Sequence, residues 1–349
     1  MKGMFIIIYM MFCFIISVIL LMGCSEKSKS PQLMNDTELN IILEKELYGT
    51  VGPIYSLDWS PTGNMLVSSG YSQINLWDLD SLKHIEKISH HDSYVWSVSW
   101  SPEKDDMNIA SGSQDGTLKI WSEERKEVIE ILHRGWIFCS SWSSDGSKIA
   151  FGNSEGMIEI FDISLDSTIF TYQLERPGNF PSRAIICISW SPNEDIIAAG
   201  CWYGGILIID TSARSVREVL DARSNERYDV NGLCFSPDGQ LLMSAYQDGY
   251  IRIWNIRDGS ISKKIKAHNG WVRGIDCSPD GEMVASGGAD NAVYVWNVKT
   301  SKRYKFPIDS PQPIWSISWS PDGRQLAAGN GIYNSQYADA IIYVCEIVR

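Results

Sequence analysis

The chain has 349 residues, of which 44% are hydrophobic and 21% charged, with a formal net charge of −12. So acidic a surface repels phosphate backbones and anionic headgroups, which excludes nucleic acid as a partner. Among its eight cysteines no Cys-x-x-Cys pair occurs, so metal and redox motifs lack support and no cofactor is implied.

Residues 1–23 carry one charge, Lys2, ahead of an apolar run from Met4 to Met22. This is the form of a secretory signal peptide, although about nineteen apolar residues also reach the length of a plain membrane anchor. The ending Leu21-Met22-Gly23-Cys24 resembles the bacterial lipobox, which implies cleavage before Cys24 and a diacylglycerol on its sulfur. Small Gly23 before the cysteine and the polar stretch from Ser25 to Asp36 after it favour lipidation. The expectation is a signal over 1–23, a flexible tether over 24–37 and a protein lipid-anchored to a membrane of the bacterial envelope. In a Gram-negative cell, Ser25 resembles the outer-membrane sorting signal.

From about residue 38 one pattern recurs seven times: an apolar strand closing on Trp59, Trp100, Trp142, Trp190, Phe235, Cys277 or Trp319, a turn, and a later strand closing on Trp77, Trp121, Phe161, Ile209, Trp254, Trp296 or Val344. The spacing of about 40 to 48 residues is the period of a four-stranded propeller blade. A single repeat is too small to bury its own apolar face, so the blades must stack in a ring over 38–349. Strands such as Thr117-Leu118-Lys119-Ile120-Trp121 alternate apolar with polar residues. Ser236-Pro237-Asp238-Gly239, Ser278-Pro279-Asp280-Gly281 and Ser320-Pro321-Asp322-Gly323 read as hairpin turns; Glu103-Lys104 and Asn193-Glu194 depart from that pattern, so longer or reshaped turns are expected there.

Leu76-Trp77-Asp78, Ile253-Trp254-Asn255 and Val295-Trp296-Asn297 resemble the strand ends that name the WD40 repeat family. The resemblance implies an all-β, seven-bladed WD40 β-propeller, each blade a four-stranded antiparallel sheet. It also implies a buried tetrad within a blade, matched fully by His91, Ser111, Asp115 and Trp121 and by His268, Ser286, Asp290 and Trp296. Ser244, Asp248 and Trp254 supply three members without a histidine. A His and Asp so spaced could suggest acid/base chemistry, but their recurrence at the blade period favours a structural role.

Ala340 to Glu346 gives the last blade a third strand and nothing follows to make a fourth, so Leu39 to Glu44 is expected to close blade 7. Such a closed ring needs no second copy, and a monomer is expected. Cys139 and Cys187 lie three residues before their landmarks, where other blades place Ser56, Ser97, Gly232, Gly274 and Ser316. Crowding of inner strands around the channel would select small residues there. Export to an oxidising compartment raises a Cys139–Cys187 bridge as an alternative to two buried thiols.

Nine of the fourteen tryptophans occupy the landmarks. The other five are Trp96, Trp136, Trp202, Trp271 and Trp315, and by resemblance to WD40 propellers they open onto one rim with Tyr55, Tyr94 and Phe138. The rim is expected to be an exposed aromatic surface, with Arg273 as a charged anchor, composed like a protein-binding hot spot; the rings could instead pack on each other over the channel mouth. The loop from Gly331 to Asp339, longer than its counterparts and carrying Tyr333 and Tyr337, emerges on the same rim. Arg176 to Pro181 forms a longer peripheral connection.

The leading functional expectation is a non-catalytic, membrane-anchored scaffold that binds a protein or peptide on this rim. A carbohydrate or peptidoglycan reader is the alternative, since aromatic rings also stack on sugars. A hydrolytic enzyme ranks below both: no nucleophile elbow, phosphate-cradling glycine loop or metal-ligand cluster stands out.

Overall fold

A computed structural model of the chain describes residues 39–81, 83–88, 91–103, 108–122, 127–174, 184–193, 195–202, 204–220, 228–333 and 339–348. The signal segment, Cys24 and the tether lie outside the described residues, as do Arg176 to Pro181, Lys104, Glu194 and Tyr337.

The described residues form seven four-stranded antiparallel sheets and no helix, giving a seven-bladed β-propeller. In six blades the strands follow chain order from the inner strand outward. The serine-led turns explain the tight connection between first and second strands. In blade 5, Ser236 Oγ donates to Asp238 and accepts the N–H of Leu241, while Gly239 takes a φ of 69° that a side chain would resist.

The seventh blade joins chain segments 290 residues apart, as measured at the bond from Thr50 Oγ1 to the Ala340 carbonyl. Strand Asn40–Val51 runs antiparallel to Asp339–Val348, which pairs in turn with Gln325–Asn330 and then Ile314–Trp319. The closing strand is longer than Leu39 to Glu44 and contains two register shifts.

The core lies between blades. Ala150, Ile158 and Ile160 of blade 3 pack with Ile185, Ile197 and Leu207 of blade 4. Because both faces of a blade meet a neighbour, strand Ile196–Cys201 is buried at every residue instead of alternating.

The small residues three before each landmark sit where one inner strand meets the next. Ser56 Oγ donates to the Val98 carbonyl, Ser97 Oγ lies 2.6 Å from Ser140 Oγ, and Ser316 Oγ accepts the N–H of Leu57. Cys139 and Cys187 approach the carbonyls of Ile185 and Val230 at 3.7 and 3.0 Å. A Cβ on Gly274 would stand 3.0 Å from the Trp315 carbonyl oxygen. Close approach of the following blade, more specifically than crowding around the channel, selects small residues here. All six cysteines of the propeller are free thiols, so the Cys139–Cys187 bridge is not formed.

Two residues further along, Asp58 and Asp276 span the same seams. Asp58 accepts the N–H of Trp100 and Asp276 that of Trp319. In blade 3 a serine does the same work: Ser141 Oγ accepts the N–H of Trp190.

Candidate partner-binding rim

The rim is built by a repeated irregularity. In six inner strands the pairing register skips one residue near the strand start, and the residue skipped is Trp96, Phe138, Ile186, Asn231, Arg273 or Trp315. A β-bulge leaves its extra residue unpaired and re-aims it, so six blades each present one side chain at the same end of the ring. In blade 1 Tyr55 takes this place immediately before its strand.

All the aromatic rim residues, and Arg273, join one cluster. Tyr55 lies 4.4 Å from Trp96, 6.0 Å from Tyr94 and 5.4 Å from Trp315, centroid to centroid. Phe138 meets Trp96, Trp136 and Trp202 at 5.6, 5.9 and 6.2 Å. The Arg273 guanidinium sits 3.7 Å over the Trp315 ring and 4.8 Å over Trp271, linking Trp271 to the rest by cation–π contact.

The expectation of an exposed aromatic surface is corrected in one respect. Tyr55 is buried, at 8% exposure, and the other rim rings are half-buried because they cover one another. What they leave open is part of each half-buried ring in a packed cluster, whose mutual contacts pre-order it. Two tyrosines complete it. Tyr71 meets Tyr94 at 4.7 Å, and Tyr333 lies near-parallel to both Trp315 and Trp96, at 5.8 and 6.2 Å. The length of the blade 7 loop signals Tyr333 in the sequence; Tyr71 has no such signal.

Below the rim, the tetrads order protons along a chain. Trp121 Nε1 donates to Ser111 Oγ at 2.8 Å, so the single Ser111 hydroxyl proton is free to reach His91 Nε2, also at 2.8 Å. His91 is then protonated on Nδ1 and donates to Asp115 at 2.9 Å. Blade 6 repeats this with Trp296, Ser286, His268 and Asp290 at 3.2, 2.9 and 2.7 Å. Burial pushes the Asp115 carboxyl up, but hydrogen bonds from His91 and Thr117 outweigh it and hold it well below its ordinary value. The groups resemble a nucleophilic triad, yet Ser111 and Ser286 are completely buried and already accept an indole N–H. Their geometry is that of a structural brace.

Blade 5 replaces the absent histidine with Arg252, which pairs with Asp248 at 2.8 Å and lies 3.8 Å over the Tyr246 ring. Ser244 still accepts Trp254 Nε1–H. Blade 3 keeps the histidine but loses its partners. His133 stands nine residues before Trp142, as His91 does before Trp100, but packs on Phe151 and faces Glu159 at 3.4 Å. Phe151 pairs opposite Ser140 and Phe161 closes the third strand, where blade 2 has Ser111 and Trp121.

The family model for the WD domain, G-beta repeat, matches residues 42–78, 82–122, 259–297 and 303–339, and that for the anaphase-promoting complex subunit 4 WD40 domain matches 188–276. The chain belongs to the WD40 repeat family. Neither match takes in blade 3, the WD40 blade in which phenylalanines stand for both the tetrad serine and tryptophan.

Among curated WD40 relatives, the chain is 26% identical over 228 residues to a guanine nucleotide-binding protein subunit beta of Saccharomyces cerevisiae, covering 64% of this chain and 51% of that protein. It is 28% identical over 213 residues to the meiotic recombination protein rec14 of Schizosaccharomyces pombe, covering 59% and 67%. With the nuclear distribution protein nudF of Aspergillus niger it shares 27% over 252 residues, covering 66% and 56%. The chain thus spans about half to two-thirds of the length of these relatives.

Proposed function

We propose that this propeller is a non-catalytic scaffold that holds a protein or peptide partner against its aromatic rim, acting as a monomer tethered to a membrane by lipid on Cys24. The observation that carries the reading is the set of bulges: six blades spend an irregularity in an otherwise regular ladder to deliver a rim side chain. Aromatic residues and arginine dominate protein-binding hot spots because they offer large contact area at small rotamer entropy. Similarity to a subunit of a guanine nucleotide-binding protein supports a role in assembly. The lipobox-like Leu21-Met22-Gly23-Cys24 supports the anchor.

The test is crosslinking co-purification from detergent-solubilised host membranes, comparing the parent with a Trp96→Ala, Trp271→Ala, Trp315→Ala variant that retains its fold. Proteins lost selectively from the variant are the expected partners; an unchanged list would end this reading of the rim. Labelling with an alkyne fatty acid should mark the parent and not Cys24→Ser.

A further inference from the structure

At five of the seven seams, the residue before one landmark faces the landmark of the next blade. Asp58 and Asp276 accept the backbone N–H of Trp100 and Trp319 at 2.8 and 2.7 Å, and Ser141 Oγ accepts that of Trp190 at 3.1 Å. Landmark side chains reach back the other way. Trp142 Nε1 donates to the Ser99 carbonyl at 3.3 Å and Trp59 Nε1 to the Ser318 carbonyl at 2.9 Å, each one blade behind.

Only the seam between blades 5 and 6 puts sulfur in both places: Cys234 precedes the landmark Phe235, and Cys277 is itself a landmark. The register of that seam is fixed two residues earlier. A Cβ on Gly232 would stand 3.3 Å from the Arg273 carbonyl oxygen, as one on Gly274 would stand 3.0 Å from that of Trp315, at the seam where Asp276 meets Trp319. Cys234 is therefore related to Cys277 as Asp276 is to Trp319. At the equivalent serine seam, the 3.1 Å bond from the Trp190 N–H to Ser141 Oγ keeps the two Cα atoms closer than about 7 Å, and a disulfide spans about 4.4–6.8 Å between Cα atoms. Both thiols belong to one apolar cluster, Cys234 buried and Cys277 half-buried. Burial pushes the Cys234 thiol well above its ordinary value, and charge on Cys277 beside it adds to the rise.

We propose that Cys234 and Cys277 are a disulfide site that staples blade 5 to blade 6, closed as the chain folds in contact with a small-molecule or protein disulfide; the structure shows its reduced form. The Cys277 thiolate attacks one sulfur of the oxidant and releases a first thiolate, and the Cys234 thiolate then attacks the Cys277 sulfur and releases a second. Two protein thiols are oxidised to one disulfide, and one oxidant disulfide is reduced to two thiols. Burial leaves little thiolate in the folded chain, so closure belongs to folding, before the seam covers the sulfurs. The bridge supplies what this seam lacks, a carboxylate or hydroxyl before the landmark and an indole at it. A chain exported on the proposed lipoprotein signal folds where disulfides persist, but the pair itself is tested on the purified protein.

The full-length chain in detergent is unfolded in urea with reductant, refolded at pH 8 in reduced and oxidised glutathione, and its free thiols blocked with iodoacetamide. Trypsin releases residues 228–252 and 274–299, each with one cysteine, and mass spectrometry without reductant should find them joined in most chains. The melting temperature should rise by at least about 3 °C over the reduced parent, and should not rise in Cys277→Ser. Cys139→Ser with Cys187→Ser should keep both the joined peptides and the rise. If the chain does not refold, folded protein held at pH 9 in the same glutathione mixture is mapped instead.

Six free propeller thiols, a different cysteine pairing, glutathione retained on Cys277 beside a free Cys234, or a bridge that leaves the melting temperature unchanged would overturn the staple. Joined peptides from the purified chain, alongside free thiols in protein taken from the host, would leave the site standing and count against export to an oxidising compartment.

Discussion

Asp58 in blade 1 and Trp100 in blade 2 are joined by a 2.8 Å bond from the tryptophan N–H to the carboxylate, across the seam between their inner strands. Burial pushes the Asp58 carboxyl up to about 7, with repulsion from Asp276 adding to it; the N–H groups of Trp100 and Trp59 pull the other way without prevailing. Asp276 is lifted to about 7 by burial as well, against the N–H groups of Trp319 and Cys277.

A carboxyl raised above its ordinary 3.8 stabilises the fold fully below that value, and loses the contribution as pH rises through about 7. Asp115 and Asp290, held low with their histidines, act oppositely: their contribution is present above the ordinary value and disappears in acid. Thermal melting should therefore peak near the ordinary carboxyl value, at about pH 4, fall between about pH 4 and 7 and level off above that. Asp58→Ser with Asp276→Ser, patterned on Ser141, should at least halve the fall on the alkaline side, as read by melting temperature against pH.

Ser111→Ala should destabilise the propeller by about 2–3 kcal/mol, because it leaves both Trp121 Nε1–H and His91 Nε2 without this partner in a fully buried site. Ser244→Ala strands one indole N–H and should cost about 1–2 kcal/mol. Urea denaturation of the two variants measures the difference.

Arg252→Met should cost about 3–5 kcal/mol, since it strips a buried carboxylate of its charge partner. Adding Asp248→Asn should recover at least half of that loss, because the remaining charge is then gone. Denaturant midpoints of the single and double variants settle the coupling.

The propeller thiols should resist alkylation at pH 8 until the protein unfolds. Burial pushes Cys139 and Cys187 well above the ordinary thiol range and Cys201 up to about 12. Mass spectrometry after iodoacetamide, with and without urea, counts the modified cysteines.

The seven blades were legible because landmark tryptophans, glycine turns and apolar runs recur at one period, and the period is a property of the chain alone. Ring closure followed from one unmatched strand at each end. The rim residues were also legible, as tryptophans left over from the repeat, but not the reason they share a face: a bulge at Trp96 is a relation between Val95, Ser97 and the strand opposite, which composition does not record. Arg252 was hidden because it lies on the third strand, far in sequence from the missing histidine, and reaches Asp248 only once the strand is formed. His133 escaped the tetrad pattern because Phe151 and Phe161 had replaced its partners.

The joining of Thr50 to Ala340 has a consequence for the order in which the molecule is made. During synthesis, strand Asn40–Val51 emerges before the other described strands and its partner Asp339–Val348 after all of them. For all that time the early strand is an open sheet edge, able to template pairing with another chain. Blades 1 to 6 can each form from neighbouring residues, but blade 7 must wait, and a ribosome stalled before residue 339 would release six blades, a broken seventh and an unsatisfied edge.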